Sequence, residues 1–390
     1  MRIFHVIAHF DLGGAERVAA SIAKSNNANM EYHLVELMRG KSQFSDDFIK
    51  ELSDAGIHCH RAWMPDIRFH FLFERVAALF FPLRFLYIWL RWHPGVVHCH
   101  TESPDMSVVF AMKLFPFIAR RCKVVRTIHN NVLWTGQGRI GNICERFFIS
   151  HKSNIAISQS VRQSYLNRFG EDTPIIYNGV GKTETKPYQH LVEGKINVIF
   201  AGRFERQKGI STLAEVLSRM NNDERYHFHI FGNGSLSGLI HSRLAGQKNV
   251  SINPPLFGLS SYLSSFDYMF MPSEFEGLSI VAIEASMAGL PNVINNCPGL
   301  EETLPEDWPL KVENNNVEHY LHIFNVLLPS MSRESLGSKA MSYAMDNFSL
   351  ASMQRNYEKV YFIDFYKSLD LATQRKIAIN LKNQYYADKQ

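Results

Sequence analysis

Short apolar runs alternate with amphipathic helix patterns along most of the chain. Each run is followed by a polar turn and then, as at Val18 and Ile22 after the first run, by apolar positions at helical spacing. The runs lie at residues 3–8, 32–38, 96–100, 124–131, 154–157, 174–178, 196–203, 226–231, 250–254 and 268–271. Such runs are typical of buried strands in a parallel sheet whose helices are crossover connections. The pattern therefore predicts an α/β protein.

The repeat is interrupted between residues 179 and 194. This stretch contains Gly181 and Pro187 with mixed charges between them, a composition typical of a linker. A second series of strands and helices begins directly after it. A chain of 390 residues is too long for one small core and suits two domains. We therefore expect one strand-helix series on each side of the linker.

Residues 69–92 form a strongly aromatic segment that is too interrupted to cross a membrane. Arg75, Arg84, Arg91 and Pro82 break every apolar run before the roughly 20 residues that a spanning helix needs. The pattern predicts two short amphipathic helices joined at the proline. One hypothesis places them on an anionic membrane surface, and the alternative packs them in the core. The residues proposed to contact lipid are Phe80, Phe81, Arg84, Phe85, Trp89, Arg91 and Trp92.

Composition excludes several classes of protein. The formal net charge is +4, and no segment is dominated by a block of Lys and Arg, so we expect no nucleic-acid partner. The 5 cysteines are scattered without a C-x-x-C pair, which predicts neither a zinc site nor a disulfide framework. Because the first residues form a short strand pattern rather than a long apolar export signal, we expect a cytoplasmic protein.

The most informative stretch joins the strand at 268–271 to a helix predicted at 279–288. Free N–H groups of a first helical turn at a strand end suit a phosphate. Glu276 in the turn and Glu284 in the helix can both accept hydrogen bonds from hydroxyl groups of one ligand. A phosphorylated, polyhydroxylated ligand fits this chemistry. The plainer alternative is an ordinary helix with one acid near its N-terminus and one exposed acid.

The pattern Glu276-Gly-x-Ser followed by Glu284-Ala-x-x-Ala-Gly-x-Pro resembles the acidic motif of the retaining glycosyltransferases of family 4, or glycosyl transferases group 1. Three further elements resemble family motifs in the family's order: Gly13-Gly14, His129-Asn130, and Gly202-Arg203 with Lys208-Gly209. The Gly232-Asn-Gly234 loop is similar to the family's Gly-x-Gly loop beside the nucleotide. Residues 297–299 depart from the family's Gly-Gly turn, which leaves that donor contact without support.

The resemblance implies the GT-B fold, an α/β architecture of two Rossmann-like domains that face each other across a cleft. Residues 1–180 would form the acceptor-side domain, with the C-terminal segment 348–390 packing back on it. Residues 195–345 would form the domain that binds the nucleotide-sugar donor. A Gly-x-Gly-x-x-Gly spacing at residues 136–141 lacks the strand-turn-helix context of a dinucleotide fingerprint, and we expect a mobile loop at the cleft mouth there.

The resemblance also implies a set of site residues. The predicted catalytic residues are Glu276, His129, Arg203 and Lys208. The predicted donor-binding residues are Gly13, Gly14, Arg203, Lys208, Gly232, Gly234, Glu276, Gly277, Leu278, Ser279 and Glu284. The two cations would stabilise the leaving diphosphate, so that no metal is needed. We expect no cofactor, only a UDP- or GDP-linked sugar as co-substrate.

The implied activity is hexosyl transfer with retention to a saccharide or lipid-linked saccharide acceptor. We expect it to serve the synthesis of a cell-surface polysaccharide (lipopolysaccharide, O-antigen or capsule), in the cytoplasm and at the inner face of the membrane if the acceptor is lipid-linked. Two alternatives use the same fold: a nucleotide-sugar 2-epimerase, which needs acid and base groups at C2 and no acceptor, and a non-catalytic nucleotide-sugar binder.

Overall fold

The computed structural model describes residues 1–11, 13–40, 43–63 and 70–368. Its first half contains six parallel strands separated by helices. In chain order these are β1 Arg2–Ile7, α1 Gly14–Ala23, β2 Glu31–Glu36, α2 Gln43–Asp54, β3 His58–His60, α3 His70–Trp92, β4 Val96–His100, α4 Glu102–Leu114, α5 Pro116–Ala119, β5 Lys123–Ile128, α6 Gly138–Ser150, β6 Asn154–Ala156 and α7 Gln159–Phe169. The strand order is β3-β2-β1-β4-β5-β6.

The second half repeats this arrangement after a stretch without regular elements. Its elements are β7 Ile196–Ala201, α8 Ile210–Arg219, β8 Tyr226–Phe231, α9 Ser237–Leu244, β9 Val250–Asn253, β10 Tyr268–Met271, α10 Ile280–Met287, β11 Asn292–Asn295, β12 Lys311–Val312, α11 Val317–His322, α12 Leu328–Ser330, α13 Arg333–Asn347 and α14 Leu350–Ser368. Short 3₁₀ turns occur at Arg206–Lys208, Leu259–Ser265, Glu301–Thr303 and Glu313–Asn315, and a π-helical turn at Ile323–Leu327.

Both sheets have the doubly wound order, in which the chain starts in the middle and changes direction once. In the second sheet the order is β12-β11-β10-β7-β8-β9, so that β7 lies between β10 and β8. The switch points therefore lie between β1 and β4 and between β7 and β10. Ligands of such sheets bind beyond the carboxyl ends of the strands at the switch point. The predicted α/β fold class of two Rossmann-like units is confirmed.

Helix α14 returns from the second half to pack on the first sheet. Its side chains Tyr357 and Tyr361 are buried. The Tyr361 hydroxyl lies 2.7 Å from His98 Nδ1 on β4, and the Tyr357 hydroxyl lies 2.8 Å from Thr127 Oγ1 on β5. These contacts join the end of the described chain to its first sheet. The part of the predicted C-terminal segment beyond residue 368 lies outside the described residues.

Several local predictions are wrong. Residues 174–178 form only a single bridge, between Ala156 and Ile175, instead of a strand. The short strands β3 and β12 at the sheet edges were not predicted. The segment at residues 136–141 is not a loop throughout, because α6 begins at Gly138. Gly141 lies against Trp134, where a Cβ atom would be 2.4 Å from the indole Cγ.

Helix α3 is one continuous helix of 23 residues with Pro82 inside it, and not two helices. Among the residues predicted to contact lipid, Phe81, Phe85, Trp89 and Arg84 are instead buried. The Arg84 guanidinium donates hydrogen bonds to three main-chain carbonyls, those of Glu36, His60 and Arg61, at 2.5, 2.8 and 2.8 Å. These carbonyls at the ends of β2 and β3 hold the arginine inside. Within the described residues, no helix is long and apolar enough to span a membrane.

We expect Arg84→Met to destabilise the fold, because it leaves one buried and two partly buried carbonyls without their donor. One unsatisfied buried group costs about 1–3 kcal/mol, so the free energy of unfolding should fall by at least about 2 kcal/mol. Arg91→Met is the control, since Arg91 is exposed on the same helix and should change stability by about 0.5 kcal/mol or less. Urea unfolding of both variants measures the difference. Equal stabilities would contradict the buried role of Arg84.

Candidate active site between the two sheets

A cavity of about 560 Å³ lies between the two sheets, beyond the carboxyl ends of their central strands. The structure brings most of the predicted site residues into its wall: Gly13, Gly14, His129, Arg203, Lys208, Glu276, Gly277, Leu278 and Ser279. The first three come from loops of the first sheet and the others from the second. Residues distant in sequence therefore converge on one space because both switch points open onto it.

Glu276 is held in a turn by two hydrogen bonds to the same carboxylate oxygen. Lys208 Nζ lies 2.6 Å from Glu276 Oε1, and the Ser273 hydroxyl donates to that oxygen at 2.8 Å. The carboxylate is buried and the lysine is largely so. A buried ion pair needs such additional hydrogen bonds to offset the loss of hydration. The pair leaves Glu276 Oε2 without a bond to either of these side chains.

The turn that carries Glu276 also makes the contact between the two sheets. A Cβ atom on Gly277 would lie 2.0 Å from the main-chain oxygen of His129, so only glycine fits there. The Asn131 side chain donates to the Glu276 carbonyl at 2.8 Å, and the Ser158 hydroxyl donates to the Gly277 carbonyl at 2.6 Å. Ser158 also accepts a hydrogen bond from Val161 N and thereby caps the N-terminus of α7.

The first turn of helix α10 points into the cavity. Ser279, Ile280 and Val281 line the wall. Ser279 precedes the helix without capping it, and its buried hydroxyl has no hydrogen-bond partner among the described residues. Unpaired main-chain N–H groups at a helix N-terminus, together with a free hydroxyl, form a site suited to an anion.

Two cations lie on the same side of the cavity as this helix. Arg203 is exposed, and within the described part of the chain its side chain forms no hydrogen bond or ion pair. Lys208 precedes Gly209, which has φ of 65°. Gly209 lies against the residue that follows β10, because a Cβ atom on Gly209 would lie 1.7 Å from the Pro272 carbonyl oxygen. This close approach brings Lys208 beside Glu276. Arg203 remains available for a bound anion.

Across the cavity, His129 is the end of a chain of three histidines on neighbouring strands. Its Nε2 lies 3.1 Å from His100 Nδ1, and His100 Nε2 lies 3.0 Å from His5 Nδ1. Burial lowers the pKa of His129 and of His5 to about 3 and the pKa of His100 well below its ordinary value. All three rings are therefore neutral at pH 7, and each has one N–H and one lone pair.

The buried end of this chain determines which nitrogen of His129 carries the hydrogen. His5 Nε2 is buried and has no partner among the described residues. An unpaired buried N–H is rarer and costlier than an unpaired acceptor, so the His5 hydrogen belongs on Nδ1. His5 then donates to His100 Nε2, and His100 Nδ1 donates to His129 Nε2. The hydrogen of His129 is thereby fixed on Nδ1, the one ring nitrogen left for a ligand.

Further residues that were not predicted as site residues also line the cavity, among them Thr101, Glu16, Asn178 and Gln207. Thr101 follows β4 with φ of 75°, a strained conformation for a β-branched residue that often marks a functional position. Glu16 is buried, and loss of hydration raises its pKa. The signal for Glu16 was present, because the acid directly follows the Gly13-Gly14 motif.

Three predicted residues do not line the cavity. Gly232 and Gly234 pack against the loop after β7, where Cβ atoms would lie 2.1 Å from the Gly202 oxygen and 2.6 Å from the Phe204 oxygen. Their close packing supports the loop that carries Arg203. Glu284 is partly buried on α10. Loss of hydration raises the pKa of its carboxyl group to about 7, although the positive charge of Arg17 lowers it. Donor contacts of these three residues stay predictions.

Two doubly wound sheets with a cavity between their facing carboxyl ends define the GT-B class of fold. Residues 12–183 match the family "Glycosyltransferase Family 4", and residues 195–328 match "Glycosyl transferases group 1". The chain belongs to this family of glycosyltransferases, which confirms the resemblance seen in the sequence.

Curated relatives and solved structures agree with this assignment. The chain is 24% identical over 287 residues to the O-antigen biosynthesis glycosyltransferase WclY of Escherichia coli, covering 68% of this chain and 78% of the relative. It is 22% identical over 303 residues to the capsular polysaccharide biosynthesis glycosyltransferase CapH of Staphylococcus aureus, covering 73% and 78%. The fold is similar to that of Anabaena HepE in complex with UDP, with a TM-score of 0.74 and 17% identity over 92% and 99% of the two chains.

Nitrogen-15 NMR of histidine rings checks the tautomer of His129. We expect the wild-type protein at pH 7 to carry the His129 hydrogen on Nδ1, with its signal identified by its loss in His129→Gln. His5→Leu removes the donor to His100 and should give a mixture of the two His129 tautomers. A wild-type His129 with its hydrogen on Nε2 would refute the proposed direction of the chain.

Proposed function

We propose that this cavity binds a nucleotide sugar and transfers its hexosyl group, with retention at the anomeric carbon, to a saccharide or lipid-linked saccharide. The observation that carries the proposal is the position of Glu276. Its carboxylate is fixed by Lys208 and Ser273 beside the N-terminus of α10, and His129 lies on the opposite wall. Sugar-binding and phosphate-binding groups thus share one enclosed space.

Each group has a distinct role in the proposed reaction. Arg203, Lys208 and the first turn of α10 stabilise the charge that develops on the departing diphosphate. Glu276 accepts hydrogen bonds from hydroxyls of the donor sugar, and the Nδ1–H of His129 donates to the sugar from the other side. Because the cations and the helix N-terminus supply the positive charge, the transfer needs no metal ion. Glu284 would reach the ribose of a nucleotide that extends past the cavity wall.

The two halves of the chain have different roles in the proposed reaction. Residues 1–180 with the C-terminal helix form the acceptor side, and residues 195–345 form the donor side. Anabaena HepE, which has a similar fold, has also been determined in complex with UDP-glucose, which supports a uridine nucleotide here. Relatives named for O-antigen and capsule synthesis support a role in making a cell-surface polysaccharide. Such a role suits a protein of the cytoplasm that works at the inner face of the membrane.

Incubation with a panel of UDP- and GDP-sugars, with and without saccharide acceptors, tests the proposal. Glu276→Gln should keep the fold and lower transfer by about two orders of magnitude or more, because it removes charge next to the reacting carbon. Glu274→Gln is the matched control, since Glu274 is an exposed carboxylate two positions away that pairs with Arg206.

The same panel separates the competing activities. A transferase releases nucleoside diphosphate and forms a glycosylated acceptor, whereas an epimerase converts the donor sugar without acceptor and a binder does neither. Epimer formation, or equal kcat and KM for the Glu276→Gln variant and the wild type, would contradict the proposed transfer.

We further propose that helix α3 contacts an anionic membrane surface, with a face that keeps Phe80 and Arg91 from the predicted set and leaves out its buried members. One face of the helix packs in the core, and the other is exposed. The exposed apolar side chains are Leu79, Phe80, Leu83, Tyr87 and Leu90, each more than half accessible. Trp63 extends this face, with its ring 6.5 Å from that of Tyr87.

Basic residues border this apolar face. Arg91 is exposed at the end of α3, and Phe117 of α5 contacts Trp89 at 5.6 Å between ring centroids. Arg120 and Arg121, three and four positions after Phe117, are exposed as well. Each such cation near an anionic surface contributes on the order of 1 kcal/mol and is weakened by salt. The combination favours lipid headgroups as the partner of this face.

We expect the protein to bind vesicles containing phosphatidylglycerol in low salt, and Leu79→Glu/Leu83→Glu to abolish the binding without lowering the melting temperature. Val326→Glu, an exposed apolar position in the second half, is the control and should bind as the wild type does. Vesicle flotation measures all three. Absence of wild-type binding, or full binding by the double variant, would contradict the assignment of this face.

A further inference from the structure

A second cluster of chemically active side chains lies away from the cavity, on strands β2 and β3. His33 on β2 pairs directly with His58 on β3 in the parallel register. Side chains two residues apart on a strand point to the same face, so Glu31 and His60 lie on that face as well. The sequences Glu-Tyr-His at 31–33 and His-Cys-His at 58–60 thereby place four potential ligands on one surface.

Three of their atoms are spaced as the ligands of one metal ion are. Glu31 Oε1 lies 3.2 Å from His33 Nε2 and 3.7 Å from His58 Nε2, and all three atoms lie within 4.8 Å of one another. Ligands at about 2.0–2.1 Å from a tetrahedral zinc ion are separated by about 3.3 Å. The three atoms therefore lie close enough to surround one ion once the exposed His58 ring has turned, with water as a fourth ligand.

The outer atoms of two of these ligands are already held in place. Glu31 Oε2 accepts a hydrogen bond from Arg2 Nε at 2.9 Å, which leaves Oε1 for the ion. His33 Nδ1 lies 2.9 Å from His60 Nε2. Without an ion, His33 Nε2–H donates to Glu31 Oε1 at 3.2 Å, and His33 Nδ1 accepts from His60. When an ion binds, the hydrogen of His33 moves to Nδ1 and donates to His60, and the Nε2 lone pair faces the ion. Metal-binding histidines are oriented by this kind of hydrogen bond.

We propose that Glu31, His33 and His58 form a binding site for a divalent cation of the zinc type, which prefers imidazole and carboxylate ligands. The His33 and His58 rings are now stacked, with centroids 4.7 Å apart and planes at 23°, so both cannot aim a lone pair at one ion. The exposed His58 turns about its side-chain bonds when the ion binds.

This site is separate from the proposed sugar transfer. Glu31 and His58 begin their strands, whereas the cavity lies beyond the carboxyl ends of the sheet. Strand β3 is a short edge strand, and among the described residues it pairs with β2 alone. An ion bound to residues of both strands ties this edge to the sheet. Its predicted effect is therefore on stability and not on the rate of transfer.

Titration of the full-length, chelator-treated protein with Zn²⁺ and Co²⁺ tests the site. We expect one equivalent to bind, with a rise in melting temperature and a visible tetrahedral Co²⁺ spectrum. His60→Ala, which removes the partner of His33, should weaken binding about 10- to 100-fold. His58→Ala and Glu31→Gln, which remove ligands, should weaken it at least as much. His241→Ala, an exposed histidine on α9, is the control and should bind as the wild type does.

Trp92 provides a second, local signal. Its ring lies 4.6 Å from that of His33, so bound Co²⁺ should quench its fluorescence, and Trp92→Phe should lose the quenched component. Retention of the bound equivalent in both His58→Ala and Glu31→Gln would overturn the proposal and direct attention to the buried cluster of His5, His98 and His100. Failure of the wild type to bind Zn²⁺ or Co²⁺ would overturn it as well.

Discussion

The contact between Gly277 and the His129 carbonyl is the constraint on which the active site depends. The two sheets approach each other so closely there that a single added carbon would lie 2.0 Å from that oxygen. The same turn is closed from behind by Gly299, where a Cβ would lie 2.2 Å from the Glu276 oxygen. The main chain of the turn is thus fixed from both sides. The side chain of Glu276, which this turn carries, is thereby held in a fixed position relative to groups on both sheets.

Some charged groups of the cavity are already paired with each other, and others have no partner in the part of the chain that the structure describes. Glu276 and Lys208 neutralise each other and are held by Ser273, so neither is a free charge in a poorly hydrated space. Arg203 and the first turn of α10 have no such partner within the described residues. In the proposed reaction, a diphosphate would therefore meet positive charge that costs little to reorganise. Neutral His129 on the far wall adds a hydrogen-bond donor without repelling the cations.

The sequence was sufficient for the fold class, because its apolar runs alternate with helix patterns. Most of the predicted residues in the cavity wall, among them His129, Arg203 and the Glu276 turn, were located by their resemblance to motifs of family 4, and the ends of strands in doubly wound sheets bring such residues together. The sequence could not show which face of α3 is buried and which is exposed, because aromatic residues occupy both of its faces. The burial of Arg84 depends on carbonyls at the ends of β2 and β3, which no local pattern reveals. Likewise, a glycine at position 232 indicates that another part of the chain lies close to it, but the sequence does not show that this part is the loop at Gly202.

Calorimetry of nucleotide binding to Arg203→Ala tests whether a diphosphate binds between Arg203 and the first turn of α10. We expect UDP binding to weaken by about 1.5–3 kcal/mol, the range for a hydrogen bond to a charged group, while UMP binding changes much less. Arg206→Ala, which removes an exposed cation three positions away that pairs with Glu274, should leave both affinities unchanged. Equal losses for UDP and UMP, or no loss for UDP, would contradict the account.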